Sequence, residues 1–212
     1  MNNDKHLDTT PLDPKEPELP RSTEHSTTHE IAPEDLPRIY VASLSDYNNG
    51  HLHGTWLNAT SSPEDLQAAI CAMLAKSRQP DAEEFAIHDF DGFGGLQLSE
   101  YESLERVSRL AQGIAEYGHA FVAWADLHID DDSQWDRFEE AYFGYYDSLD
   151  DYAEQLADDL GYTKLLSDTI PEYLKPYTRF DTEQFGRDIH DGGDISISDA
   201  PHGGIWIFDG RM

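Results

Sequence analysis

The sequence predicts an α+β fold, with strand pairs near both ends and helices between them. Period-two apolar stretches occur at 38–58, 83–90 and 194–209, while the apolar period from 99 to 161 is helical. Turn signals, Asn49-Gly50 and His202-Gly203-Gly204, separate the strand candidates that follow one another directly. A third observation concerns charge. Between Arg109 and Lys164 stands one base, Arg137, against fourteen carboxylates, yet the segment is rich in large apolar residues such as Phe121, Trp124, Trp135, Phe138 and Tyr152. So one-sided a charge usually leaves a chain unfolded. Here the apolar content predicts a folded, strongly anionic segment.

Residues 1–36 are Pro-, Thr-, Glu- and His-rich and have no periodic apolar face. They are read as a disordered tail, and the irregular spacing of His6, His25 and His29 makes no ligand set. RIYVASL (38–44) is the first strand, Asn49-Gly50 a hairpin turn, and LHGTWLN (52–58) the returning strand. Ser62-Pro63-Glu64-Asp65 opens a helix over 63–77, with a cap residue, a proline in the first turn and acids at the positive dipole end. Leu66, Ile70, Met73 and Leu74 form its apolar face, and EEFAIHDF (83–90) is the third strand.

Ser99 and Glu102 of SEYE make a capping-box pattern for a helix running to about Tyr117. Short helices follow at about 119–127 and 133–143. SLDDYAEQLADDLG (148–161) has a capping pair, Ser148 and Asp151, a terminal Gly161, and a buried stripe of Leu149, Tyr152, Leu156 and Leu160. Pro171 and Pro176 bracket a short helix near 170–175, and Asp181 caps another at 182–189. DISISDA (194–200) and GIWIFD (204–209) form a closing hairpin. The length allows one domain or two to three small ones.

The net charge is −29, of which −13 falls in residues 110–163. That uneven distribution argues against a general halophile surface. The sign repels nucleic acid and anionic membrane and attracts basic partners, so direct DNA binding is excluded as a role. Cys71, the sole cysteine, has no internal disulfide partner. It falls in an apolar helical pattern and is expected as a buried small hydrophobe in a reducing compartment. No run approaches the roughly 18 apolar residues of a membrane span, and the N-terminus has no signal-peptide core. The expected location is cytoplasmic.

Chemistry-bearing motifs are weak. Asp89, Asp91, Gly94 and Glu100 fall at positions 1, 3, 6 and 12 of a calcium loop. Position 5, however, is Phe93, and the preceding segment reads as a strand, so a Gly-rich connection is the expectation. Asp188, His190, Asp191 and Asp194 surround Gly192-Gly193 and read as a turn. The run Asp130–Asp132 could hold a divalent ion weakly. No nucleophile or phosphate-loop pattern is present. We therefore expect no catalytic residue, no metal site and no cofactor.

The acidic helices allow two readings. Asp150, Glu154 and Asp158 recur at i, i+4 and i+8, about 6 Å apart along a helix axis, on the order of the phosphate spacing of one DNA strand. Residues 110–163, as a globule spanning about 26 Å, would carry about 0.5 net charges per Å, against about 0.6 for duplex DNA. Such a surface is either a decoy for a basic DNA-binding cleft or a solvated face that maintains solubility.

A resemblance separates the two. RIYVASLSDYNNGHLHGTWL (38–57), EEFAIHDFDGFGG (83–95), SEYESLERV (99–107), YDSLDDYAEQLADDLG (146–161) and IPEYLKPYTRFDTEQFGRDI (170–189) together resemble the antirestriction protein ArdA family. The resemblance implies a DNA mimic, carried by mobile elements, that occupies the DNA-binding site of type I restriction–modification enzymes and protects incoming DNA. It implies an elongated chain of three small domains: a sheet with a helix (37–98), a helical middle (99–137) and a C-terminal α/β unit (138–212) forming the interface of a homodimer. The tail at 1–36 precedes the family pattern. The mimic surface expected from these readings comprises Asp126, Asp130, Asp131, Asp132, Asp136, Glu139, Glu140, Asp147, Asp150, Asp151, Glu154, Asp158 and Asp159. The rival classes are a divalent-metal-binding acidic protein and a generic acidic chaperone of basic proteins.

Overall fold

The structure, a computed structural model, describes residues 36–80 and 82–212. The expected tail and its histidines therefore lie outside the described residues, apart from Leu36. Helices and two three-stranded antiparallel sheets make the fold α+β, as expected.

The first sheet has β1 (Arg38–Ser43) at its centre, with β2 (Gly54–Asn58) and β3 (Phe85–Asp91) on either side. Ile39 and Val41 point inward and are fully buried, whereas Arg38, their neighbour in the alternation, is exposed. The expected tight hairpin is corrected. A short helix, α1 (Leu44–Asn48), lies between β1 and β2, with Ser43 as its cap. Asn49 and Gly50 close that helix, and Gly50 has φ +79°, a conformation as suited to a helix end as to a hairpin. The helix is tied down by Asp46, which is fully buried and whose carboxylate accepts from the Ser77 hydroxyl.

Helix α2 (Pro63–Leu74) starts as expected, with the Asp65 N–H donating to Ser62 Oγ at 3.1 Å. It ends three residues before the expected 77. Its buried face is Leu66, Ile70, Met73 and Leu74. Cys71 is exposed, which corrects the expectation of burial. One residue past Ile70 is about 100° around the helix, which turns the thiol off the apolar face.

Helix α3 (Leu104–Tyr117) is capped by Ser103, whose Oγ accepts from the Arg106 N–H at 3.1 Å, and not by the Ser99 pattern. Ser99 instead closes a turn, accepting from the Tyr101 N–H at 3.3 Å. Helix α4 (His119–Leu127) follows as expected, across Gly118. A Cβ on Gly113 would overlap the Phe121 ring, so glycine here permits α3 and α4 to approach closely.

The expected helix at 133–143 divides into three pieces: a 3₁₀ turn (Asp132–Arg137), a one-turn helix α5 (Phe138–Ala141) and a strand β4 (Tyr142–Tyr146). YFGYY is aromatic at every position but Gly144 and suits a pleated, half-buried surface. It pairs with β6 (Ile205–Asp209), which in turn pairs with β5 (Ile195–Asp199), giving the sheet order β4-β6-β5. The expected hairpin is thus present and gains a third strand.

Helix α6 (Leu149–Asp159) is capped by Ser148, and α8 (Thr182–Asp191) by Asp181, both as expected. On α6 the fully packed residues are Tyr152, Ala153, Leu156 and Ala157, while Leu149 and Leu160 are only partly buried. Gly186 lets α8 pack directly on Leu149 and Ala153 of α6. Helix α7 (Tyr162–Thr169) was not anticipated, and the expected short helix near 170–175 is replaced by a turn and a 3₁₀ segment, Lys175–Tyr177.

Two apolar clusters result. One runs from Ile39, Leu66 and Ile70 through Leu110 and Ile114 to Phe121, Trp124, Phe138 and Phe208. The other holds Phe143, Tyr146, Tyr152, Leu156, Ile189, Ile195 and Ile207. Ile207 and Phe208 are adjacent on β6, both fully buried, one in each cluster.

Candidate functional site

The thirteen carboxylates expected in the acidic surface fall on a few short elements. Asp126 is in the last turn of α4, Asp130 and Asp131 follow it, and Asp132 and Asp136 lie in the 3₁₀ turn. Glu139 and Glu140 are on α5, Asp147 follows β4, and Asp150, Asp151, Glu154, Asp158 and Asp159 are on α6. Twelve are exposed, and Asp132 is half-buried. The reason is periodicity: α6 buries Tyr152, Ala153, Leu156 and Ala157, so residues 150, 154 and 158 face outward.

Their surroundings differ. On α6 the partners are neutral. Asp150 accepts from Thr182 Oγ1 at 2.5 Å, Asp151 from Ser148 Oγ at 2.5 Å, and Asp158 from the Thr163 hydroxyl. Such bonds orient a carboxylate and leave its charge in place. Asp126, Asp130, Glu154 and Asp159 make no carboxylate hydrogen bond or ion pair among the described residues. Asp131 is held below the usual carboxylate range by hydrogen bonds from the Ser133 hydroxyl and then the Gln134 amide, which keeps it ionised.

The 3₁₀ turn is different. Arg106 and Arg109 of α3 both reach Asp132, at 3.3 and 3.6 Å, and Arg109 also meets Asp136 at 3.1 Å. The Arg106 guanidinium lies 4.5 Å from the centre of the Trp135 ring. Arg137 approaches Glu140 at 3.8 Å. Counting bases along the segment misses Arg106 and Arg109, which precede it and fold over it. Their i, i+3 spacing on one helix was the available signal. The acidic surface therefore has a compensated part, at Asp132, Asp136 and Glu140, and an uncompensated part on α6 and around Asp126 and Asp130.

Beside the compensated part, α3 and the segment 132–141 enclose an open cleft of about 270 Å³. Tyr117 lies in its wall and donates to Glu139 Oε1 at 2.9 Å. Elsewhere, Asp91 pairs with Arg38 at 2.9 Å and Asp89 accepts from the Phe90 N–H, so these members of the calcium-loop pattern are engaged locally. Among the described residues no group of three or more His, Cys, Asp or Glu is placed to hold a metal ion. No described helix is long and apolar enough to cross a membrane.

These features define an α+β protein with an exposed carboxylate surface carried on short helices. Residues 39–202 match the family described as antirestriction protein (ArdA). The chain belongs to the ArdA antirestriction family, as the five sequence blocks led us to expect. A search of curated proteins finds no match.

Proposed function

We propose that this antirestriction protein is an acidic decoy that occupies the DNA-binding cleft of type I restriction–modification enzymes and so protects incoming mobile DNA. It acts by binding in the cytoplasm and catalyses no reaction. The observation that carries this reading is the uncompensated acidic face of α6 (Asp150, Glu154, Asp158 and Asp159), together with the exposed and equally uncompensated Asp126 and Asp130. Like charges at i, i+4 cost a helix about 0.2–0.5 kcal/mol per pair, so the row is a feature that stability alone disfavours. Lysines and arginines that hold DNA phosphates meet carboxylates at comparable spacing, and matching potentials steer the encounter.

The decoy acts as a homodimer through its C-terminal part. Helix α7 buries no residue, and Leu165, Tyr173, Leu174 and Tyr177 are exposed on it and just after it. That apolar patch is the surface a second copy would cover. Sedimentation of wild type and of a Tyr173→Ser/Tyr177→Ser variant checks this: the variant should shift toward monomer.

The central experiment is competition. The protein should displace DNA from a type I enzyme far better than from an unrelated basic DNA-binding protein. Equal displacement from both would favour a generic chaperone of basic proteins instead.

A further inference from the structure

We propose that the cleft between α3 and the segment 132–141 receives one basic side chain, an arginine or lysine, of the protein to which the acidic surface binds. This inference rests on the decoy reading and adds to it a discrete point of attachment.

The cleft, at about 270 Å³, is smaller than the roughly 300–1,000 Å³ of small-molecule sites, and its size suits a single side chain. Its floor is aromatic: Phe121, Trp135 and Phe138, all buried. Its rim carries three exposed carboxylates, Glu116, Asp136 and Glu139. Glu116 lies outside the thirteen acids expected in the surface.

One end of the cleft already holds a guanidinium. Arg109 stands 3.1 Å from Asp136 and 5.8 Å from the centre of the Trp135 ring. Carboxylate and aromatic face together are the partners that guanidinium groups select. At the other end Glu116 and Glu139 meet no cation among the described residues. The Tyr117 hydroxyl between them is pushed to higher pKa by burial and then by Glu139 and Glu116, consistent with a negative potential there. Trp135 Nε1–H, in the same buried ring, has no acceptor among the described residues. A basic residue brings the cation that the rim lacks. The rim charge rejects anionic metabolites.

The test has two arms. In the first, N-acetylarginine amide is titrated into the full chain and the Trp135 indole resonance is followed by NMR. A shift is expected with the arginine amide and none with N-acetylcitrulline amide, which has the same shape without the charge. Glu116→Arg, which places a guanidinium of the chain itself at the rim, should abolish the shift. Arginine in the last turn of α3 is favourable to the helix dipole, and Glu116→Gln provides a milder variant of near-equal size.

In the second arm, both variants should weaken displacement of DNA from a type I enzyme by about tenfold, the loss of one charge-assisted contact. Glu83→Arg, with the same charge change at an exposed position away from the cleft, should change it by less than about twofold. Equal shifts from the arginine and citrulline amides, or equal effects of Glu116→Arg and Glu83→Arg, overturn the proposal. The first arm contains no enzyme. A wild-type chain that fails to displace DNA thus overturns the decoy reading, whereas one that displaces DNA but shows no arginine-specific shift overturns the cleft.

Discussion

Asp46 places a buried charge beside the N-terminal sheet. It is fully buried, and its pKa is held below the ordinary carboxylate value, first by the Ser77 hydroxyl and also by Ser43 and His53. A lowered value in the folded state means that the ionised form stabilises the fold above the unfolded pKa of about 3.8, and that this contribution disappears as pH falls through the folded value. Asp46→Asn keeps the shape and removes the charge. It should be less stable than wild type at pH 7, and the difference should shrink steadily below about pH 4. Urea unfolding of both proteins between pH 7 and pH 3 measures this. A gap that widens in acid would contradict the assignment. At this scale the sequence was legible where bonds are local. Ser62, Ser148 and Asp181 were all recognisable as caps, because each accepts from an N–H three residues ahead. Asp46 was not recognisable, because its partner Ser77 is 31 residues away.

Among the elements, α6 concentrates both charge and predictability. Ser148→Ala removes its cap and should cost about 1 kcal/mol without altering surface charge. A denaturant midpoint lowered at unchanged slope would report it. The stripe of α6 was readable because one helix face suffices to define it. Strand β4 carries a helical apolar pattern, yet its state is decided elsewhere: Tyr146 pairs with Ile205 and Tyr145 with Trp206, about sixty residues later. Helix α7 went unseen for a different reason. It begins at Gly161 in a left-handed conformation with no side-chain cap and buries nothing, so neither a cap nor a buried stripe marks it.

For the molecule as a whole, the division of the acidic surface matters more than its total charge. Replacing Asp126, Asp130, Asp150, Glu154, Asp158 and Asp159 by Asn or Gln should abolish inhibition of a type I enzyme while leaving thermal stability equal or higher, because repulsion is relieved. Asp132→Asn with Asp136→Asn should do the reverse: stability falls as Arg106 and Arg109 lose their partners, with a smaller effect on inhibition. Melting curves and inhibition titrations on the two variants separate the outcomes. Inhibition by wild type should weaken at least about tenfold between roughly 50 and 200 mM salt, and a salt-insensitive complex would count against electrostatic mimicry. The exposure of the acids was legible in the sequence. Their partial neutralisation was not, since it joins α3 to a turn that lies 23 to 27 residues further along the chain.

Strand β6 has a consequence for biosynthesis. It is the last described element in chain order, yet it is the middle strand of its sheet, and its neighbours Ile207 and Phe208 enter different clusters. During translation the aromatic strand β4 and the acidic helix α6 leave the ribosome well before β6 does. Until it arrives, the aromatic side chains lack their backing and the carboxylates have no fixed spacing. A ribosome stalled after residue 200 therefore carries an anionic chain without a finished surface, and both cores wait on the arrival of β6.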